Sequence, residues 1–148
     1  MKEKIKKTAT LVRFLHTNMP DIIVKKSKIN KKGIFANRNF KKDEVVLRWN
    51  SKPLKVSEVK KILVEKRHYL YKDINNEYFL MQSPEKYVNH SCDPNTETKK
   101  QCDVAIRSIK KGEEITSDYT KQGSSTSFIC NCGNDKCRGF IKRFDLKY

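Results

Sequence analysis

Lys86-Tyr87-Val88-Asn89-His90-Ser91-Cys92-Asp93-Pro94-Asn95 is the densest run of chemistry in this 148-residue chain. It begins β-prone and ends polar, with Pro94 to fix a turn and Asn95 to end it. The expectation is a strand running into a polar turn. Asn89 and His90 offer several donors and acceptors in a small space, which suits recognition of a polar ligand. The same residues suit a plainer role, in which Asn89 and Ser91 cap the turn and His90 is satisfied inside the core. The ten residues alone leave both readings open.

Outward from this run the chain reads as many short strands. Residues 21–25 (DIIVK), 31–36 (KKGIFA, a turn and a strand), 44–49 (EVVLRW) and 77–81 (EYFLM) precede it. Residues 103–107 (DVAIR) and 113–116 (EEIT) come after it, joined through the turn Lys110-Lys111-Gly112. One main helix is expected over residues 57–70, where Val59, Ile62, Leu63 and Leu70 fall at helical spacing with Lys66 as the polar exception. Ser57 would cap it and Glu58 suits its first turn. The fold class is therefore mainly β with minor helix. The length suits one domain, and a 36% hydrophobic content gives a modest core of the kind that a metal often staples.

The formal net charge is +16. A surface that basic draws polyanions or acidic proteins and speeds their encounter. No apolar run approaches the roughly 20 residues that span a bilayer. The basic start, residues 1–7, leads into no signal-peptide core, because Arg13, His16, Asn18 and Asp21 interrupt the next stretch of chain. An intracellular protein is expected, whether cytoplasmic, nucleoid-associated or nuclear, with no membrane partner.

Five cysteines are an odd number for a disulfide framework. Three of them, Cys130, Cys132 and Cys137, crowd around Gly133-Asn134-Asp135 near the end, which points to zinc. A closed zinc site needs four ligands, so Cys92, Cys102 or a histidine must supply another.

Three motifs in series carry a family resemblance: Asn89-His90-Ser91-Cys92-Asp93-Pro94-Asn95, then Gly112-Glu113-Glu114-Ile115-Thr116-Ser117-Asp118-Tyr119, then residues 130–139 (CNCGNDKCRG). In that order they resemble the SET-domain protein-lysine methyltransferases, and Lys32-Gly33-Ile34-Phe35-Ala36 is similar to that family's cofactor turn. The resemblance implies a SET-domain, β-clip-like fold of short strands with a C-terminal zinc-bound segment. It divides the chain into a basic segment (residues 1–20), a minimal SET domain (residues 21–122) and a post-SET zinc segment (residues 123–148), entered through the Ser-rich stretch 123–127.

The resemblance further implies transfer of a methyl group from S-adenosyl-L-methionine to the ε-amine of a protein lysine. Tyr119 stands at the family's catalytic tyrosine. Lys32, Gly33, Ile34, Lys86, Asn89, His90 and Tyr119 stand at the cofactor, the first three largely through backbone groups. Cys92 is the implied fourth zinc ligand beside Cys130, Cys132 and Cys137, which would tie the C-terminal segment to the cofactor site. Phe140 and Phe144 are candidates for the aromatic residue that closes the cofactor pocket, and Tyr71 and Tyr78 for walls of the lysine channel. Two departures stand out. Lys31 occupies the place of a family glycine, where it has less conformational freedom. Ser117 replaces an aromatic, leaving room for a methylated amine and so favouring di- or trimethylation. A histone-like or other nucleic-acid-associated protein is the implied substrate. The competing reading is a basic zinc-containing nucleic-acid-binding module without catalysis.

Overall fold

The computed structural model describes residues 19–122 and 127–142. The charged residues 1–10, most of the Ser-rich stretch and Phe144 lie outside the described residues. Strands β1 (Ile22–Lys26), β2 (Lys32–Ala36), β3 (Val45–Arg48), β4 (Lys52–Leu54), β5 (Leu70–Lys72), β6 (Tyr78–Leu80), β7 (Asn89–His90), β8 (Thr96–Lys99), β9 (Cys102–Ala105), β10 (Glu114–Ser117), β11 (Phe128–Ile129) and β12 (Phe140–Ile141) make four small sheets. Their orders are β1-β2-β10-β7, β3-β9-β8, β4-β6-β5 and β11-β12. No helix among the described residues is long and apolar enough to cross a membrane.

The expected strands are present, but the expected helix over residues 57–70 is not. In its place stand one helical turn, α1 (Val56–Val59), an extended Leu63, and a 3-10 segment over Val64–Tyr69. The apolar spacing misled because its residues do not share one buried face. Val59 and Leu70 are buried, whereas Leu63 is 57% exposed. Helix nucleation is unfavourable, and a short helix needs a packed face to offset it. Here Leu70 is drawn into β5, opposite Leu80 of β6. Lys55, not Ser57, precedes the helical turn, and Glu58 accepts the Lys55 backbone N–H at 2.7 Å.

The main core joins the first two sheets. Ile34 and Ala36 of β2, Ile115 of β10 and Ala105 of β9 are essentially inaccessible and pack with Phe40, Val46, Leu47, Val88 and Ile109. Each large side chain so buried contributes roughly 1.5–3 kcal/mol. Phe40 and Ile109 exchange backbone hydrogen bonds at 2.8 and 2.9 Å, which clamps the turns Lys41-Lys42-Asp43 and Lys110-Lys111-Gly112 side by side. A smaller cluster of Val59, Leu70 and Tyr78 supports the third sheet.

One buried side chain locks the central turn onto the core. Asn95 is 2% exposed. Its Nδ2 donates to the Glu114 carbonyl at 2.8 Å and its Oδ1 accepts from the Thr116 N–H at 2.9 Å. The amide thus stands in for a strand partner along β10. Next to it, the Thr96 hydroxyl donates to the Thr116 carbonyl at 2.9 Å. Asn95→Ala would orphan one buried acceptor and one buried donor, so a loss of about 2–4 kcal/mol is expected in chemical denaturation. A loss within about 0.5 kcal/mol, the range of ordinary surface substitutions, would contradict this role.

Candidate active site and cysteine cluster

Two of the sequence motifs are zipped together. β7 pairs in parallel with β10, Asn89 opposite Thr116 and His90 opposite Ser117. The Ser91 N–H extends the ladder to the Ser117 carbonyl at 3.0 Å. Tyr119 therefore emerges beside His90 and folds back over it. Its backbone N–H donates to His90 Nδ1 at 3.2 Å, and its hydroxyl donates to the Val88 carbonyl at 2.6 Å. With its hydrogen committed, the hydroxyl retains only acceptor capacity. Burial pushes the phenol far above its ordinary range, which favours the neutral hydroxyl.

Asn89 is buried, and its Nδ2 reaches the Lys32 carbonyl at 2.9 Å, Glu114 Oε1 at 2.8 Å and Ser27 Oγ at 3.2 Å. The Ser27 hydroxyl lies 2.8 and 2.9 Å from the two Glu114 oxygens and accepts the Ile29 N–H at 2.9 Å. This network holds the turn between β1 and β2 in place. It also explains Gly33: a Cβ there would fall 2.2 Å from Glu114 Oε1. Lys31 has φ +22°, at the edge of the left-handed region that favours glycine. The turn thus keeps a glycine-like shape on a lysine.

Lys32, Lys86, Asn89, His90 and Tyr119 all line one cavity of about 540 Å³, with Lys31 at its rim and Ser117 among its walls. Gly33 is packed against Glu114 and Ile34 belongs to the core, so neither adds a side chain to the cavity. Tyr71 lines it, and meets Trp49 edge-on at 5.0 Å between ring centroids. Tyr78 does not; it is buried with Val59 and Leu70. Phe140 is 56% exposed and not part of the wall. Among the described residues, the aromatic of the C-terminal segment that lines the cavity is Phe128, whose ring centroid sits 5.5 Å from that of His90 and 5.8 Å from that of Tyr119. The signal for it was the apolar pair Phe128-Ile129 just before the first clustered cysteine, which pairs with β12 as β11.

Of the possible fourth ligands, the geometry brings Cys92 to the other three. The sulfurs of Cys92, Cys130, Cys132 and Cys137 lie within 4.8 Å of one another, and Cys92 is 3.8 Å from Cys130. A tetrahedral zinc with bonds near 2.3 Å has ligand edges of about 3.8 Å. Cys102 stands apart on β9, where it meets Arg48 at 3.5 Å. Burial pushes the Cys130 thiol up to about 12. Burial also opposes ionisation of Cys132, but hydrogen bonds from the Cys92 and Asn134 backbone and the neighbouring thiols outweigh it and bring that thiol down to about 6.

The cluster and the cavity meet at Cys130, which belongs to both, and at His90. Because His90 Nδ1 accepts from Tyr119, the ring proton sits on Nε2, which faces Cys92 Sγ at 3.4 Å. Burial favours this neutral ring, lowering its pKa against the pull of Asp118. The 3.7 Å approach of Nδ1 to Asp118 is thus no ion pair. Asp118 pairs instead with Arg138, at 2.8 Å. Burial works against the Asp118 charge, but Arg138 and Thr120 outweigh it and hold the carboxyl below its usual range. Arg138 also gives its backbone N–H and Nε to Cys92 Sγ at 3.3 and 3.4 Å. Asp118 and Arg138 both sit inside the sequence motifs, yet nothing in their spacing signalled this pairing.

Human histone-lysine N-methyltransferase 2B is 30% identical over 156 aligned residues, covering 88% of this chain and 6% of its own length. The histone-lysine N-methyltransferase of Schizosaccharomyces pombe described as H3 lysine-4 specific is 26% identical, covering 95% of this chain and 17% of its own length. The chain thus spans a small part of these relatives. A crystal structure from Plasmodium falciparum, named for the histone methyltransferases, superimposes with a TM-score of 0.58 at 23% identity, covering 68% of this chain and 94% of the other, and shares the fold. The SET-domain family model matches residues 31–120, which takes in β2, the zipped strands and Tyr119; by that match the chain belongs to the SET-domain family.

Proposed function

We propose that this protein transfers a methyl group from S-adenosylmethionine to the ε-amine of a lysine on a histone-like or other nucleic-acid-associated protein. The observation that carries this reading is the convergence of Asn89, His90 and Tyr119 on one aromatic-walled cavity. Its volume lies in the range of small-ligand sites, about 300–1,000 Å³. A flat aromatic ligand part fits against Phe128, and polar ends fit the lysines and Asn89. When bound, the cofactor supplies an electrophilic methyl group. A non-catalytic nucleic-acid module would leave this cavity without a use and is not favoured.

The chain's own residues have two tasks. One is to receive a neutral amine. Making a free lysine neutral at pH 7 costs about 4.6 kcal/mol. Trp49, Tyr71 and the buried Ser117 offer a wall that desolvates an entering ammonium and lowers this cost. The other task is alignment. The Tyr119 oxygen, fixed by its bond to Val88, accepts from the amine and orients its lone pair. The absence of a side chain beyond Cβ–Oγ at Ser117 leaves space for an amine that already bears methyl groups. Cys92, Cys130, Cys132 and Cys137 would hold a structural zinc, fixing the segment that carries Phe128 and Arg138.

Incubation with isotope-labelled S-adenosylmethionine and histones or cell extract, read by mass spectrometry, should place label on lysine; label on no protein would end the proposal. Tyr119→Phe should lower turnover by about a hundredfold or more, while calorimetry finds cofactor affinity little changed. Unchanged turnover would remove Tyr119 from its role. Metal analysis should find about one zinc per chain, lost in Cys92→Ser as fully as in Cys137→Ser. Retention of zinc by the Cys92 variant alone would mean that Cys92 is not a ligand.

A further inference from the structure

Beside the cavity runs a second, open groove of about 480 Å³, lined by Lys25, Lys26, Lys31 and Lys32 together with Val24, Ser83 and Tyr87. Four of its seven lining residues are lysines and none is acidic. All four lysines are exposed. None forms an ion pair with a carboxylate among the described residues. Lys26 and Lys32 are direct cross-strand partners in the β1–β2 ladder. Like charges so placed repel and weaken the pairing. Yet this ladder also carries the turn that Asn89 grips. The fold thus retains a local repulsion next to its site, and an anionic chain laid along the groove would relieve it.

From this we infer that the groove is a binding surface for the sugar–phosphate backbone of nucleic acid. Lysines act as point charges, which suits phosphates repeated along a backbone. The arginine forks that grip carboxylates bidentately are missing from the groove. Tyr87 supplies one half-buried ring at its wall, already flanked by the ammonium groups of Lys32 and Lys86 at 5.4 and 5.1 Å from the ring centroid. Such a surface reads charge and spacing, not base sequence. Lys31, Lys32 and Tyr87 line both the groove and the cavity. Nucleic acid held there would bring a protein bound to it close to the cavity. The groove binds whether or not the chain transfers methyl groups, so the two proposals fail separately.

The test is binding of a random-sequence DNA duplex to the full chain across a salt series. Lys25→Ala combined with Lys26→Ala removes two groove charges that do not line the cavity. The plot of log affinity against log salt should become shallower by about 2. Lys60→Ala with Lys61→Ala, at positions that line neither groove nor cavity, should leave the slope alone, and S-adenosylmethionine affinity should be unchanged in both. An unchanged slope in the groove variant would overturn the inference. So would loss of DNA binding on saturation with S-adenosylmethionine, which would give the groove to the cofactor. An acidic peptide of equal charge that bound as tightly as the duplex would also overturn it.

Discussion

One neutral imidazole joins the parts of this site. His90 accepts the Tyr119 backbone N–H on Nδ1 and presents its Nε2 proton to Cys92 Sγ. Removing either contact would free the ring to turn or to gain a proton. With both in place, the catalytic candidate, the central turn and the cysteine cluster have fixed relative positions. Arg138 braces the same junction from the far side by holding Cys92 and Asp118 together. The hydrogen bond at one ring nitrogen fixes which tautomer the other presents, so the Tyr119 N–H decides what His90 offers to Cys92.

That junction makes sense of a small protein with a modest core. The sheets are short, and among the described residues the C-terminal segment contributes the two-residue strands β11 and β12. Such a ribbon is marginal alone. Bound metal would fasten it at four sulfurs, and binding free energy at a site absent from the unfolded chain is folding free energy. Phe128, carried on that ribbon, is then held over the cavity. The cavity's aromatic wall and the four-cysteine cluster are therefore built on the same segment.

Much of this was legible in the sequence, and the residues show why. The strands announced themselves through short β-branched runs between lysine-rich turns, and β2, β3, β9 and β10 appeared where expected. Asn89, His90 and Tyr119 share a cavity because their motifs pair as strands, and the order of those motifs carried that information. The helix over residues 57–70 failed because periodicity reports spacing, not which face finds a partner, and β5 claimed Leu70. Of the aromatic candidates Phe140 and Phe144, Phe144 lies outside the described residues, and Phe140 flanks the cysteines as Phe128 does, but in the β11–β12 register it is Phe128 that faces the cavity. Asn95 read as the end of a turn, while its two bonds to β10 depend on a strand about twenty residues away. Lys31 at positive φ is a departure that the turn absorbs because Asn89 and Ser27 hold its neighbours.

The measurement closest to the centre of this account is the protonation state of the His90 ring, read in the purified protein by long-range proton–nitrogen NMR correlation near neutral pH. The expected result is a neutral ring with its proton on Nε2 and an unprotonated Nδ1. A proton on Nδ1, or a charged ring, would mean that His90 does not link Tyr119 to Cys92, and the coupling of cavity to cluster would fall with it.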